Sequence, residues 1–246
     1  MVKNSSAWLT TPASLEISSM TIDVWRCPLD LAADQSDKFN KCLSEQERHR
    51  AKQFRFGGKR YQFVTTRARL RQCLALATGI RASEIEIEVS ASGKPFLAGK
   101  AHSSDVQFNV SHTDGLALIA ITRGQAIGID VESLEQSVQH TRLAENYFSA
   151  KEKNTIAALP SEQVPASFFA CWTRKEAVLK AIGTGIVHGL DSFDVATEPQ
   201  ITHCQTELHS EDGSVDTWCV ETLPCGAEFL GALAYQKQPV EIRYWY

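Results

Sequence analysis

The chain reads Phe168-Phe-Ala-Cys-Trp-Thr-Arg-Lys-Glu-Ala-Val-Leu-Lys-Ala-Ile-Gly183 in the stretch on which the rest of it turns. At roughly 100° per residue, Phe168, Trp172, Leu179 and Ile182 fall on one stripe flanked by Cys171 and Val178, so the spacing predicts a helix with an apolar face. Pro165 suits its first turn, and Gly183 followed by Gly185 is a stop signal. Glu176 and Lys180, four residues apart, share the flank of that stripe. Lys175 points near its middle, where a charge must be paired or snorkel to water. Taken alone, the Glu176/Lys180 pair reads either as the edge of a site or as a surface ion pair worth about 0.3–0.5 kcal/mol.

Working outward, 246 residues suffice for one large domain or two small ones, and 43% hydrophobic with 22% charged residues is an ordinary globular composition. Seven cysteines, with no C-x-x-C pair and no zinc-site spacing, read as buried or incidental thiols of a reducing cytosol. The N-terminal residues lack the apolar run of a signal peptide, and nowhere do apolar residues run long enough to span a membrane, so a cytoplasmic protein is expected. A net charge of −4 argues against a general nucleic-acid binder. The charge is uneven, however: residues 48–71 hold nine Lys/Arg and no Asp/Glu, leaving 16 basic against 29 acidic residues elsewhere. One basic stretch on an acidic protein suggests a specific anionic ligand or partner.

The remaining elements are read from period and punctuation. Met20-Thr-Ile-Asp-Val-Trp25 alternates like a first strand. Ser44-Glu-Gln-Glu47 is a capping box opening a short basic helix through Phe56, broken by Gly57-Gly58. A longer helix follows, with Tyr61, Val64, Ala68, Leu70, Leu74 and Ala77 inward and a stop at Gly79; Arg60, Arg67 and Arg71 reach one side of it, either as a solvated face or as an anion-binding one. Residues 84–89 alternate as a half-buried strand, and Ser90-Ala-Ser-Gly-Lys-Pro-Phe96 turns the chain. Phe108-Asn-Val-Ser-His112 is a short strand with a polar end. The runs 116–121 and 126–132 read as strands joined through Arg123-Gly124-Gln125, a hairpin signal. Asp130 and Glu132 then emerge on one face about 6–7 Å apart, an arrangement unfavourable without a cation between them and suited to a hard one such as magnesium. Ser149-Ala-Lys-Glu152 is a second capping box, for a helix through Leu159. Residues 193–195, 217–222, 228–235 and 240–244 read as strands of an antiparallel sheet. The whole is α+β, with a boundary near Gly124 separating 1–123, the basic half, from 124–246, the half with the acidic motifs.

Together, Gly128-Ile-Asp-Val-Glu132 and Trp172-Thr-Arg-Lys-Glu-Ala-Val-Leu-Lys180 resemble the signature motifs of the 4′-phosphopantetheinyl transferases, in the larger single-chain, surfactin-synthetase-activating type. The similarity extends to Ser90-Ala-Ser-Gly-Lys-Pro, Phe108-Asn-Val-Ser-His, Phe148-Ser149, and Gly183-Thr-Gly-Ile before Leu190-Asp-Ser-Phe-Asp-Val, covering roughly residues 44–196. The resemblance implies a cytoplasmic monomer of two similar α+β halves, each a small antiparallel sheet packed with helices and related by a pseudo-two-fold, with coenzyme A bound between them. Such enzymes move the phosphopantetheine arm of coenzyme A onto a serine of an acidic apo carrier protein (acyl, peptidyl or polyketide), releasing adenosine 3′,5′-bisphosphate. It further implies that Asp130, Glu132 and Glu176 are magnesium ligands near the pyrophosphate and that Lys180 serves phosphate and leaving group. Arg50 and His112 match contacts to the 3′-phosphate, Ser111 is a further coenzyme-binding residue, and the loop Ser90, Gly93, Lys94, Pro95 lies against the adenine. Arg60 and Arg71 are further candidates, and Glu47 stands where some relatives carry a lysine.

The residue types suit that chemistry. A serine hydroxyl attacking a pyrophosphate needs charge neutralisation and a carboxylate to take its proton, for which Glu176, directly or through a metal-bound water, is expected as general base. Oxygen ligands alone do not choose between magnesium and manganese. Two other readings are a magnesium-dependent phosphohydrolase of a coenzyme A-like pyrophosphate, using water on the same carboxylates, and a non-enzymatic module docking an acidic partner on residues 48–71. Neither nucleic acid nor a membrane is an expected partner.

Overall fold

A computed structural model of the chain describes residues 8–29, 36–136, 138–183, 189–209, 212–236 and 240–246. By contacts they group into two compact units, the first Met1–Ser90, Pro95–Gly124 and Val240–Tyr246, the second Ala91–Lys94 and Gln125–Pro239. The stretch from 240 onward thus belongs with the first unit, against the expectation that 124–246 form one half.

In the first unit, β1 (Thr21–Pro28), β4 (Val106–Thr113), β5 (Leu116–Arg123) and β10 (Glu241–Trp245) make a sheet in the order β10-β1-β5-β4. Against expectation, β10 does not join the antiparallel sheet of the other half. It lies instead parallel to β1, with Asp23 opposite Arg243. Asp23 is fully buried and accepts from Arg243 (2.7 and 2.8 Å) and from Trp245 Nε1 (2.7 Å), so a buried polar cluster fixes this non-local register. Among the described residues the α-helices α1 (Ser36–Cys42), α2 (Glu45–Gln53) and α3 (Gly57–Thr78) accompany the sheet. Ser44 and Glu47 form the expected capping box, but α2 ends at Gln53, and Gly57-Gly58 open α3 rather than break a helix. α3 stops at Gly79, whose φ of 71° is the left-handed cap that favours glycine. Its Leu70 and Leu74 bury against Trp25, Phe108, Ile119 and Ile121 of the sheet, while its Val64 and Ala68 pack on Phe39, Leu43 and Ala51. β2 (Glu86–Val89) and β3 (Pro95–Ala98) form a separate two-stranded sheet around the expected turn. Of the alternating run, Ile85 is buried, Ile87 half-buried and Val89 exposed.

In the second unit, helices pack against a four-stranded sheet. β6 (Ile127–Ser133), β7 (His203–His209), β8 (Val215–Leu223) and β9 (Phe229–Tyr235) run in the order β6-β9-β8-β7, all antiparallel. β5 and β6 are not the hairpin that Arg123-Gly124-Gln125 suggested: β5 pairs with β1 and β4, and β6 with β9. The true hairpin is β4–β5, turned by Asp114 and Gly115, the latter at φ 88°. α4 (His140–Tyr147) and α5 (Ala150–Ala157) flank α6 (Val164–Ile182), the helix of the opening stretch. α6 has Pro165 in its first turn and Gly183 (φ 76°) as its cap. Phe168 stacks on Phe148 and Trp172, and Cys171, Val178 and Leu179 bury against Val220, Ala232 and Ala234. Thr184 to Ile186 of the quoted motif, and His188, lie outside the described residues.

Lys175 is fully buried, and its ammonium pairs with Glu152 Oε2 (2.9 Å), donates to the Leu190 (2.7 Å) and Phe193 carbonyls and lies 4.4 Å from the Phe193 ring centroid. Glu152, the capping-box residue of α5, also accepts from Ser149 N (3.0 Å) and Val195 N (2.8 Å). The buried charge is therefore a satisfied strut. Residues 193–195, expected as a strand, are instead an irregular segment held by this strut.

Candidate active site

Strand alternation puts Gly128, Asp130 and Glu132 on the face of β6 that meets α6. The two elements come unusually close at Gly128. A Cβ there would clash with the carbonyl oxygen of Ala177 and the nitrogen of Ala181, and would stand 3.0 Å from the Ala181 Cα. Only glycine permits this approach, which brings the acidic end of β6 to the Glu176/Lys180 edge of α6. Nothing in the sequence alone distinguishes this glycine from one serving a turn.

Asp130 is 3% exposed, and its Oδ1 accepts from Lys180 Nζ at 2.5 Å. Glu132 is half-buried and accepts from Gln136 Nε2 at 2.7 Å. Burial raises the Glu132 carboxyl above its ordinary pKa, and the charges of Asp130 and Glu176 raise it further, against the Gln136 hydrogen bond and Lys180. Burial and the Asp130 charge likewise raise Glu176, with Lys180 opposing. The three carboxylates thus share one field, which raises Glu132 and Glu176 against the opposing Lys180, and their all-oxygen donor set is what a hard divalent cation takes. Among the described residues no three acidic, His or Cys side chains stand gathered around one point as a ready-made metal site. At Asp130 it is the Lys180 ammonium that occupies Oδ1.

The other expected site residues fall in two groups. Arg50, His112 and Pro95 line a cavity of about 430 Å3 in the first unit, together with Ser44, Arg67 and Val110. Arg50 and His112 are exposed, and the Arg50 guanidinium lies 5.3 Å from the Phe63 ring centroid. Arg60 is exposed on the first turns of α3 and is not among the cavity's walls, nor are Ser90, Gly93 and the buried Ser111. Lys94, counted with the second unit, donates to the Ala181 (2.8 Å) and Ile127 (3.2 Å) carbonyls, and burial lowers its ammonium to about 8.

The arginines of α3 do have acidic company. Glu47, one residue before the acid-free stretch, accepts from Arg67 and Arg71 at 2.5 Å each. Arg71, 2% exposed, also donates to the Ala82 and Ile85 carbonyls at 2.8 Å, so it is a strut within the cavity's wall. Burial would raise Glu47, but Arg67, the Ser44 N–H and Arg71 together hold it below its ordinary value. Arg174, unremarked in the sequence, is similarly structural: 1% exposed, it donates to the Ala196, Glu198 and Ile201 carbonyls and to Thr222 Oγ1.

Comparison with known proteins supplies the class of the chain. The family model "4'-phosphopantetheinyl transferase superfamily" matches residues 126–231, and "4'-phosphopantetheinyl transferase, N-terminal" matches residues 32–123. The chain is 35% identical over 192 residues to the 4'-phosphopantetheinyl transferase HetI of a Nostoc species, covering 78% of this chain and 81% of that protein. It is 28% identical to a phosphopantetheinyl transferase of a Thraustochytrium species, covering 84% of this chain and 73% of the relative. To the Bacillus subtilis transferase Sfp it is 25% identical, covering 67% of this chain and 71% of the relative. The chain belongs to the 4′-phosphopantetheinyl transferase superfamily, and it is an enzyme of that class.

Proposed function

We propose that the chain transfers the 4′-phosphopantetheine arm of coenzyme A to a serine of an apo carrier protein, releasing adenosine 3′,5′-bisphosphate in a magnesium-dependent reaction. The observation that carries this reading is the meeting of Asp130, Glu132 and Glu176 with Lys180 on the facing edges of β6 and α6. Asp130, Glu132 and Glu176 are the residues to hold magnesium, which when bound supplies neutralisation of the pyrophosphate charge. The serine oxygen forms a bond to the phosphorus bearing the pantetheine arm, and the bond from that phosphorus to the bridging oxygen breaks. Glu176, directly or through a water, takes the serine proton, and burial and Asp130 raise its carboxyl above the ordinary value. Lys180, one turn on, balances the charge appearing on the departing oxygen. The 430 Å3 cavity supplies the Arg50 guanidinium, with His112 also in its wall, as contacts for the 3′-phosphate end of the coenzyme.

The test is incubation with coenzyme A, magnesium and a panel of apo carriers, followed by intact-mass measurement. A carrier gaining one phosphopantetheine arm supports the reading. Release of bisphosphate with every carrier unmodified overturns it in favour of a phosphohydrolase.

A further inference from the structure

We infer that Lys94 is a positioning residue of the transfer site, fastening the start of β6 to the last turn of α6 and so fixing how Asp130 and Glu132 stand against Glu176 and Lys180. The inference rests on the function proposed above and departs from the expected role of Lys94 as a contact to the coenzyme.

The argument begins with what the ammonium touches. It donates to the Ala181 carbonyl at 2.8 Å and to the Ile127 carbonyl at 3.2 Å. Ala181 follows Lys180 directly, and its carbonyl is among the last four of α6, which have no partner within the helix. Ile127 is the first residue of β6 and lies three residues before Asp130. One side chain therefore bridges the two backbone segments that carry the four site residues. A cation at a helix C-terminus also meets the negative end of the helix dipole. The lysine stem packs where it must: a Cβ on Gly183, the αL cap of α6, would stand 3.0 Å from Lys94 Cδ.

The bridge complements Gly128. Glycine at 128 lets the backbones of β6 and α6 approach, while the Lys94 ammonium holds them together near the same level. Two of the three ammonium donors are spent on these carbonyls, in a setting where burial disfavours the charge. Those two donors face backbone carbonyls at the start of β6 and the end of α6.

The test uses the full chain with Lys94→Met, which keeps length and removes the donors, and Lys94→Arg, which keeps them. Steady-state transfer, calorimetric binding of coenzyme A, and amide hydrogen exchange of the last turn of α6 are read for each. For Lys94→Met the expected result is kcat lowered about tenfold or more with the KM for coenzyme A within about twofold, the split that marks lost transition-state alignment. Exchange at residues 180–183 should quicken, and Lys94→Arg should recover most of kcat. A tenfold rise in KM or Kd for coenzyme A at unchanged kcat would overturn the inference and make Lys94 a coenzyme contact. A lower melting temperature with both constants unchanged would also overturn it, leaving a merely structural lysine. If the parent modifies no carrier, the proposed function fails separately. The exchange at 180–183 and the coenzyme Kd then still decide the role of Lys94, with unchanged exchange counting against it.

Discussion

At the scale of single residues, two glutamates carry opposite lessons about burial. Glu176, proposed above as the general base, has its carboxyl raised by burial and by Asp130, with Lys180 opposing. Glu176→Gln is expected to lose transfer by about 10²-fold or more, the usual range for a general base, while circular dichroism and melting temperature stay near the parent. A purified variant transferring at the parental rate would remove Glu176 from that role. Glu47 is lowered instead, since Arg67, the Ser44 N–H and Arg71 outweigh its burial. Glu47→Gln leaves Arg71, 2% exposed, without its carboxylate, which should cost about 3 kcal/mol, as for other broken buried pairs. The sign of its pH dependence follows from linkage. A carboxyl lowered in the folded state contributes stability that is full above its unfolded value, near 4.5, and is lost as pH falls through its folded value. The difference between parent and Glu47→Gln in urea unfolding should therefore be largest near neutrality and shrink on acidification. A gap independent of pH would show that the pair does not act as an ion pair.

At the scale of elements, the site depends on how closely β6 approaches α6, and Gly128 sets that distance. Gly128→Ala places a methyl against the Ala177 carbonyl and the Ala181 backbone, neither of which can swing aside as a flexible side chain would. Relief requires the strand to move off the helix. We expect about 1–3 kcal/mol of lost stability, typical of overpacking, and a transfer rate reduced beyond what the unfolded fraction explains. Parental transfer per folded molecule would show that the approach is not required. The same pair of elements shows what was legible in the sequence. The period of α6, its proline start and glycine stop, the two capping boxes and the Asp130/Glu132 alternation are local signals, and local physics decides them. The sheet assignments of β10 and β5 are not local. Asp23 finds Arg243 across some 220 residues, and Arg123-Gly124-Gln125 looks like a turn although the strands on either side of it pair elsewhere. Lys175 was legible as a problem, a charge on an apolar stripe. Its solution, Glu152, lay in a capping box whose acid was already accounted for by its own helix. Gly128 stands within a recognisable motif, yet its meaning is a contact with a helix some fifty residues later.

At the scale of the whole molecule, the net charge of −4 conceals a separation of charge that bears on partner choice. The nine basic residues of 48–71 are not equivalent. Arg67 and Arg71 are paired with Glu47, Lys59 is paired with Asp114 at 2.6 Å, and the half-buried Arg69 guanidinium lies 5.3 Å from the Phe39 ring centroid. Arg48, Arg50, Lys52, Arg55 and Arg60 remain exposed on α2 and on the approach and first turns of α3. Exposed charges of this kind add little to stability but raise the rate of encounter with an oppositely charged partner. If the carrier is acidic, as proposed, kcat/KM for the carrier should fall as salt rises, because steering decays over a Debye length of about 10 Å at 0.1 M. Reversing Lys52 and Arg55, which do not line the cavity holding Arg50 and His112, should lower kcat/KM for the carrier at low salt and flatten its salt dependence. The KM for coenzyme A should hardly change, since the cavity keeps its own cations. A parent rate that ignores salt, or a double variant that loses coenzyme affinity instead, would mean that the basic stretch serves the coenzyme alone and that the carrier is recognised elsewhere.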